Sequence, residues 1–138
     1  MSKILITGGA GFIGSALAYH LQNDYDVHLI DRKKKFLAKP DLYKFPQYDI
    51  NISESTDFKQ IDNKEFDFIF HFAAQTSGRI SQESPGLDVD TNVKGTLNIC
   101  NYARNCKARK IIFISSMAVY GQQEGKIKET NIVSPLSN

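Results

Sequence analysis

The sequence predicts an α/β fold in which about five parallel strands form a doubly wound sheet, and three observations predict it. The first is a glycine-rich turn, Thr7-Gly8-Gly9-Ala10-Gly11-Phe12-Ile13-Gly14, set between a short apolar run and an amphipathic segment. The second is the alternation of short apolar runs with helix-periodic stretches along the whole chain, which reads β-α-β-(α)-β-α-β-α-β. The third is the gathering of small and polar residues just after the apolar runs. In open parallel sheets that is the edge where ligands bind.

Taken in order, Ile4-Leu5-Ile6 centres the first strand, Lys3–Thr7. The glycines after it fit Gly9-x-Gly11-x-x-Gly14. Gly8 and Gly9 let the chain turn off the strand. Gly11 lets backbone approach a pyrophosphate, and Gly14 lets the next helix pack close to the sheet. That helix is expected over Gly11–Asn23, with Ile13, Ala16, Leu17 and Leu21 on its apolar face. Its first N–H groups and its dipole attract anions. A second strand, Val27–Asp31, ends in a carboxylate. Lys33 to Tyr43 gives a poor signal, with room for a short helix before Pro40. Lys44–Asp49 reads as a weak third strand, and Pro46 suits an edge. Ser53 to Gln60 reads as a short helix. Phe66–Phe72 is a nearly continuous apolar run, as expected of a strand covered on both faces. Asp88–Cys106 is the second long helix, with Val89, Val93, Leu97, Cys100 and Ala103 at helical spacing. Lys110–Ser115 is the fifth strand, and beyond Gly121 the chain turns polar and irregular.

Composition limits the partners. The 138 residues suffice for one domain with a core, and a net charge of +2 implies no polyanion. Arg32 and Lys33-Lys34-Lys35 read as a solvated loop rather than a nucleic-acid patch. No apolar run approaches the roughly 20 residues of a membrane span, and no signal-peptide pattern precedes the first strand. Cys100 and Cys106 fit no metal spacing and read as reduced packing thiols of a cytoplasmic protein. The three histidines are scattered, so no metal site is expected.

Five strand ends then converge on one crevice. Asp31 can accept hydrogen bonds from two vicinal ribose hydroxyls, and its charge repels a 2′-phosphate. Arg32 beside it could instead receive that phosphate or stack on adenine. Asp49-Ile50 offers a carboxylate to an adenine amino group and an apolar wall to its ring, or simply a turn. Ala73 and Ala74 are small where a cofactor would lie. His71, inside an apolar strand, reads as a satisfied core histidine. Asn92 can pack, cap, or bond the backbone beside a cofactor. Ser115 and Ser116 place hydroxyls at the end of a parallel strand, within reach of a substrate oxygen.

The chain resembles the extended short-chain dehydrogenases/reductases, the NAD-dependent epimerase/dehydratase group. The glycine turn matches that family's signature at every position. His71-Phe72-Ala73-Ala74, Asn92-Val93-Lys94-Gly95-Thr96 and Ser115-Ser116-Met117-Ala118-Val119-Tyr120-Gly121 match three more blocks in order. The resemblance implies a Rossmann-type domain, NAD as cofactor, a nucleotide-sugar substrate and a homodimer when complete. It makes Ser116 the catalytic hydroxyl. The cofactor-binding set becomes Gly8, Gly11, Phe12, Ile13, Gly14, Asp31, Arg32, Asp49, Ile50, Phe72, Ala73, Ala74, Asn92 and Ser115. The family's Tyr-x-x-x-Lys pair occurs nowhere in these residues. The expectation is therefore a dinucleotide-binding domain over residues 1–138, cut before that pair, incomplete on its C-terminal side and inactive alone. The alternatives are an NADP-dependent carbonyl reductase of the same superfamily and a non-catalytic dinucleotide-sensing module.

Overall fold

The computed structural model describes residues 1–62 and 64–136. Five strands, β1 (Lys3–Thr7), β2 (Asp26–Asp31), β3 (Gln47–Asp49), β4 (Phe68–His71) and β5 (Lys110–Phe113), form one sheet in the order β3-β2-β1-β4-β5. Every pairing is parallel. The order reverses between β1 and β4, so the topological switch point lies beside the glycine turn.

The two-residue period of β1 divides the core. Leu5 points to one face, where it joins Ile30, Ile50, Phe58, Phe66, Ile69, Ile99 and Tyr102. Ile4 and Ile6 point to the other, with Ala18, Leu29, Phe36, Leu42 and Phe45. Helix α1 (Phe12–Leu21) covers the second face, and α5 (Gly95–Asn105) covers the first. Gly11 stands just outside α1 as its N-cap, and the helix stops at Leu21, short of the expected Asn23. The short helix before Pro40 exists as α2 (Lys33–Leu37). Pro40 then opens a 3₁₀ turn of its own, Pro40–Lys44, because its ring suits a first helical turn.

Several expectations are corrected. The third strand keeps three residues, at the sheet edge, and the segment after it is a 3₁₀ helix, Ser55–Ile61. The fourth strand is not equally covered on its two faces. Ile69 and His71 are buried, whereas Phe68 and Phe70 are only half-buried. Phe70 and Lys110 belong to a shallow apolar hollow of about 260 Å³, lined also by Ile4, Leu21, Tyr25, Phe68 and Ile112. The second long helix starts earlier than Asp88 and is not uniform. It runs as α4 (Pro85–Asp88), a π-helical turn (Val89–Lys94), then α5. Its apolar stripe splits. Gly95, Ile99, Tyr102 and Ala103 are buried, while Val89, Val93, Leu97 and Cys100 are exposed.

A helix the sequence did not announce, α3 (Gly78–Glu83), is capped by the Ser77 hydroxyl, which accepts from the Ile80 N–H. It buries no residue, so it leaves no apolar period to read.

Tyr102 ties α5 to the far side of the core. Its hydroxyl lies 3.0 Å from the Ile61 carbonyl and 2.9 Å from that of Lys64. Burial pushes its phenol pKa well up, so it remains a donor. Tyr102→Phe should lower unfolding stability by about 1–2 kcal/mol in urea denaturation, the cost of stranding buried acceptors. An unchanged midpoint would show that these carbonyls are satisfied otherwise.

Candidate functional site

The site grows from the end of β1. Gly8 adopts φ +68°, a left-handed conformation, and a Cβ there would lie 2.8 Å from the Ala73 N–H nitrogen. Only glycine meets both demands. Gly14 is the matching close approach. A Cβ on it would stand 2.3 Å from the Gly8 carbonyl oxygen, so the first turn of α1 packs on the strand end itself. Gly11 is constrained from within the chain, since its Cβ would come within 2.9 Å of the same oxygen.

These contacts hold the start of α1 open to solvent. Gly11 brings no side-chain cap. The Ser15 hydroxyl turns back to the Gly11 carbonyl at 2.7 Å, and Lys39 Nζ donates to Ser15 Oγ at 3.1 Å. Phe12 and Ile13 are exposed, Phe12 at 89%. An uncapped first helical turn with no Cβ at its mouth fits the diphosphate of a nucleotide.

Strand register brings the other candidates to the same edge. Thr7 pairs with Ile30 and with His71, Asp31 with Asp49, and His71 with Phe113. The loops after β1, β2, β4 and β5 therefore leave the sheet together. Asp31 is held beside the glycine turn. One carboxylate oxygen accepts from the Ala10 N–H at 3.1 Å and the other from the Arg32 N–H at 2.8 Å. Each keeps lone-pair capacity for a ribose hydroxyl. Arg32 is exposed at the start of α2. Asp49 is exposed at the end of β3, and its carbonyl accepts from Gln60 Nε2 at 2.7 Å.

One candidate is placed differently from the sequence reading, and a second faces away from the edge. Ile50 is 1% exposed and belongs to the core, so its side chain is not a wall for a ring; its N–H donates to the Asp31 carbonyl at 3.2 Å. Phe72 packs edge-on to Phe70 on the α1 side of the sheet. What it brings to the site is backbone, since its N–H and that of Ala73 donate to Thr7 Oγ1 at 3.2 and 3.1 Å. Ala74 is exposed in the same loop.

His71 is the core histidine the sequence suggested, and it is fully engaged. It is 2% exposed. Its Nδ1 lies 2.7 Å from Thr7 Oγ1 and its Nε2 3.0 Å from Thr96 Oγ1. Thr7 Oγ1 already accepts two N–H groups, so its proton goes to Nδ1. The imidazole is then neutral with its proton on Nε2, which donates to Thr96. Thr96 donates in turn to the Asn92 carbonyl at 2.6 Å. Asn92 clamps the loop: its Oδ1 accepts from the Gln75 N–H at 2.8 Å and its Nδ2 donates to the Gln75 carbonyl at 3.1 Å. The Gln75 side chain reaches Asp88 Oδ1 at 2.8 Å. Thr7, Gln75 and Thr96 are site residues to which the sequence reading gave no role, although Thr7 opens the glycine turn and Thr96 closes the Asn92–Thr96 block. What signal they carried was position: the last residue of a strand, the fourth residue after one, and the residue next to a helix glycine.

Ser116 is exposed, three residues past β5. Its hydroxyl oxygen accepts from the Ala118 N–H at 3.1 Å and caps the 3₁₀ turn Met117–Tyr120. The hydroxyl proton remains available to a substrate oxygen. Ser115 is exposed beside it. Among the described residues no helix is long and apolar enough to cross a membrane.

Fold and site define a dinucleotide-binding α/β domain of the doubly wound class. The chain belongs to the NAD dependent epimerase/dehydratase family, whose model matches residues 4–138. NAD is the cofactor of that family. A Methanocaldococcus jannaschii protein assigned as a UDP-glucose 4-epimerase is 37% identical over 97% of this chain and 45% of its own. The D-erythronate dehydrogenase of Haemophilus influenzae is 37% identical over 93% of this chain and 41% of its own. The Thermus thermophilus UDP-glucose 4-epimerase, solved in complex with NAD, is 28% identical and superimposes with a TM-score of 0.84 over 98% of this chain and 45% of its own. The chain thus spans less than half the length of these relatives.

Burial holds the His71 pKa down at about 4, against an ordinary 6.5. Between those values the folded state binds fewer protons than the unfolded one. The stabilisation is complete above pH 6.5 and is lost as pH falls toward 4. The full span is worth at most about 3 kcal/mol. Urea unfolding at pH 7 and pH 4.5 should show the parent losing roughly 2 kcal/mol more than His71→Gln. Equal pH dependence would contradict a neutral buried imidazole.

Proposed function

We propose that these residues are the NAD-binding half of a nucleotide-sugar epimerase. The observation that carries the reading is the joint placement, at one sheet edge, of the uncapped α1 N-terminus, the fixed Asp31 carboxylate and the Ser116 hydroxyl. The similarity to UDP-glucose 4-epimerases supports it. A relative of equal identity, the D-erythronate dehydrogenase of Haemophilus influenzae, favours a second reading: oxidation of a sugar acid without epimerisation. Both readings use this half in the same way.

The residues divide the work. The N–H groups of the α1 first turn receive the diphosphate, helped by the helix dipole. Asp31 orients the adenosine ribose. The Ala73–Gln75 loop bounds the cofactor on the β4 side. NAD, when bound, supplies a reversible hydride acceptor. Ser116 donates a hydrogen bond to the sugar oxygen whose proton must leave. A serine hydroxyl is a poor base near neutral pH, so proton transfer needs a further group. We assign that role to a Tyr-x-x-x-Lys pair carried by the parent protein outside these 138 residues. The sugar subsite belongs to that part too. The complete protein is taken to be a cytoplasmic homodimer, and the exposed Leu87, Val89, Val93 and Leu97 supply an apolar face for burial there.

Two measurements test the reading. Calorimetric titration should show NAD binding at least about tenfold tighter than NADP, because a 2′-phosphate would meet the Asp31 charge and displace its ribose bonds. Equal or tighter NADP binding would transfer cofactor choice to Arg32. The 138-residue chain should show no turnover of UDP-glucose, while the complete natural protein should. In the complete protein, Ser116→Ala should slow turnover by about 10²-fold or more. Turnover by the 138-residue chain, free of host enzyme, would contradict this assignment of roles.

A further inference from the structure

We propose that His71 is a positioning residue: a neutral strut that, through Thr96 and Asn92, holds the Ala73–Gln75 loop in its nucleotide-receiving position. The proposal rests on the dinucleotide-binding reading above and adds to it a group that touches no ligand. The geometry is a single directed chain of hydrogen bonds. It starts at the Phe72 and Ala73 N–H groups, which donate to Thr7 Oγ1. It passes through the Thr7 hydroxyl to His71 Nδ1, from His71 Nε2 to Thr96 Oγ1, and from Thr96 to the Asn92 carbonyl. The Asn92 side chain then returns to the same loop at both the N–H and the carbonyl of Gln75. The chain therefore closes on itself. It begins at Phe72 and Ala73 and ends at Gln75, in the same loop after β4, with His71 as the link in it that crosses from the sheet to the helix.

Two features flank the crossing. A Cβ on Gly95 would lie 2.7 Å from Ile52 Cδ1, so the helix start packs tightly on that side chain, and Thr96 follows Gly95 directly. The preceding segment is π-helical, with the Gly95 N–H donating to the Asp90 carbonyl five residues back. The Thr96 hydroxyl donates to the Asn92 carbonyl, whose side chain faces the loop. π-turns inside helices commonly mark functional positions. The Phe72 N–H is shared between the Thr7 carbonyl and Thr7 Oγ1, and the imidazole has one tautomer that serves both threonines, so the relay runs in one direction. A strut that only supported the fold would not need to return to the loop that borders the cofactor.

The test breaks the chain at its far end, away from the nucleotide. Thr96→Val keeps the side-chain shape and removes the hydroxyl, while Thr96→Ser keeps the hydroxyl and removes the methyl group. With NAD titrated by calorimetry at pH 7.5, Thr96→Val should bind roughly tenfold more weakly, and Thr96→Ser within about twofold of the unaltered chain. Amide hydrogen exchange should quicken at Gln75 in Thr96→Val and not in Thr96→Ser, with Leu5 and Ile69 in the core strands unchanged in both. Unchanged NAD affinity in Thr96→Val would overturn the proposal while leaving the functional reading standing. Equal weakening in Thr96→Val and Thr96→Ser would also overturn it, because packing rather than the relay would then be responsible. No NAD binding by the unaltered chain would overturn the functional reading, and this proposal with it.

Discussion

The structure depends on how closely three backbone segments meet at the end of β1. The Gly8 carbonyl lies where a Cβ of Gly14 or of Gly11 would have to be, and the Gly8 α-carbon faces the backbone of Ala73. No side chain fits between these segments. The strand, the first turn of α1 and the β4 loop are therefore locked at near-contact distance. Every later feature of the site follows from that closeness. The helix start lies at the sheet edge, Asp31 reaches the Ala10 N–H, and the Thr7 hydroxyl reaches across to the loop after β4.

Closeness has a cost in polar groups, and the sequence meets it with side chains. Thr7, at 0% exposure, takes up the Phe72 and Ala73 N–H groups where the β1–β4 ladder ends. His71 then satisfies Thr7, and Thr96 satisfies His71. A charged imidazole would have to donate from Nδ1 to an oxygen whose lone pairs are already engaged. Burial and hydrogen bonding thus favour the same neutral form.

Much of this was legible in the residues. The glycine spacing located the turn, and the apolar runs located all five strands in their order. Asp31 was legible because a carboxylate ends the strand after the glycine turn. What was not legible has physical reasons. Helix α3 buries nothing, so it carries no apolar period. The π-turn replaces the 3.6-residue rhythm over Val89–Lys94, and the apolar stripe read there divides between core and surface. Ile50 read as a wall for a ring, but the residue directly after an edge strand turned inward to the core. Residues that act by bonding to other protein groups, such as Thr96 and Gln75, have no pattern of their own in a single sequence.

Placement of a dinucleotide along the carboxyl edge of this sheet, with its diphosphate at the start of α1, is tested most directly by an amide chemical-shift titration of the isotopically labelled chain with NAD. Shifts are expected to concentrate at Gly8 to Ile13, at Asp31 and Arg32, and at Ala73 to Gln75. Shifts concentrated instead around Leu21, Tyr25, Phe68 and Ile112, at the apolar hollow on the α1 side of the sheet, would contradict it.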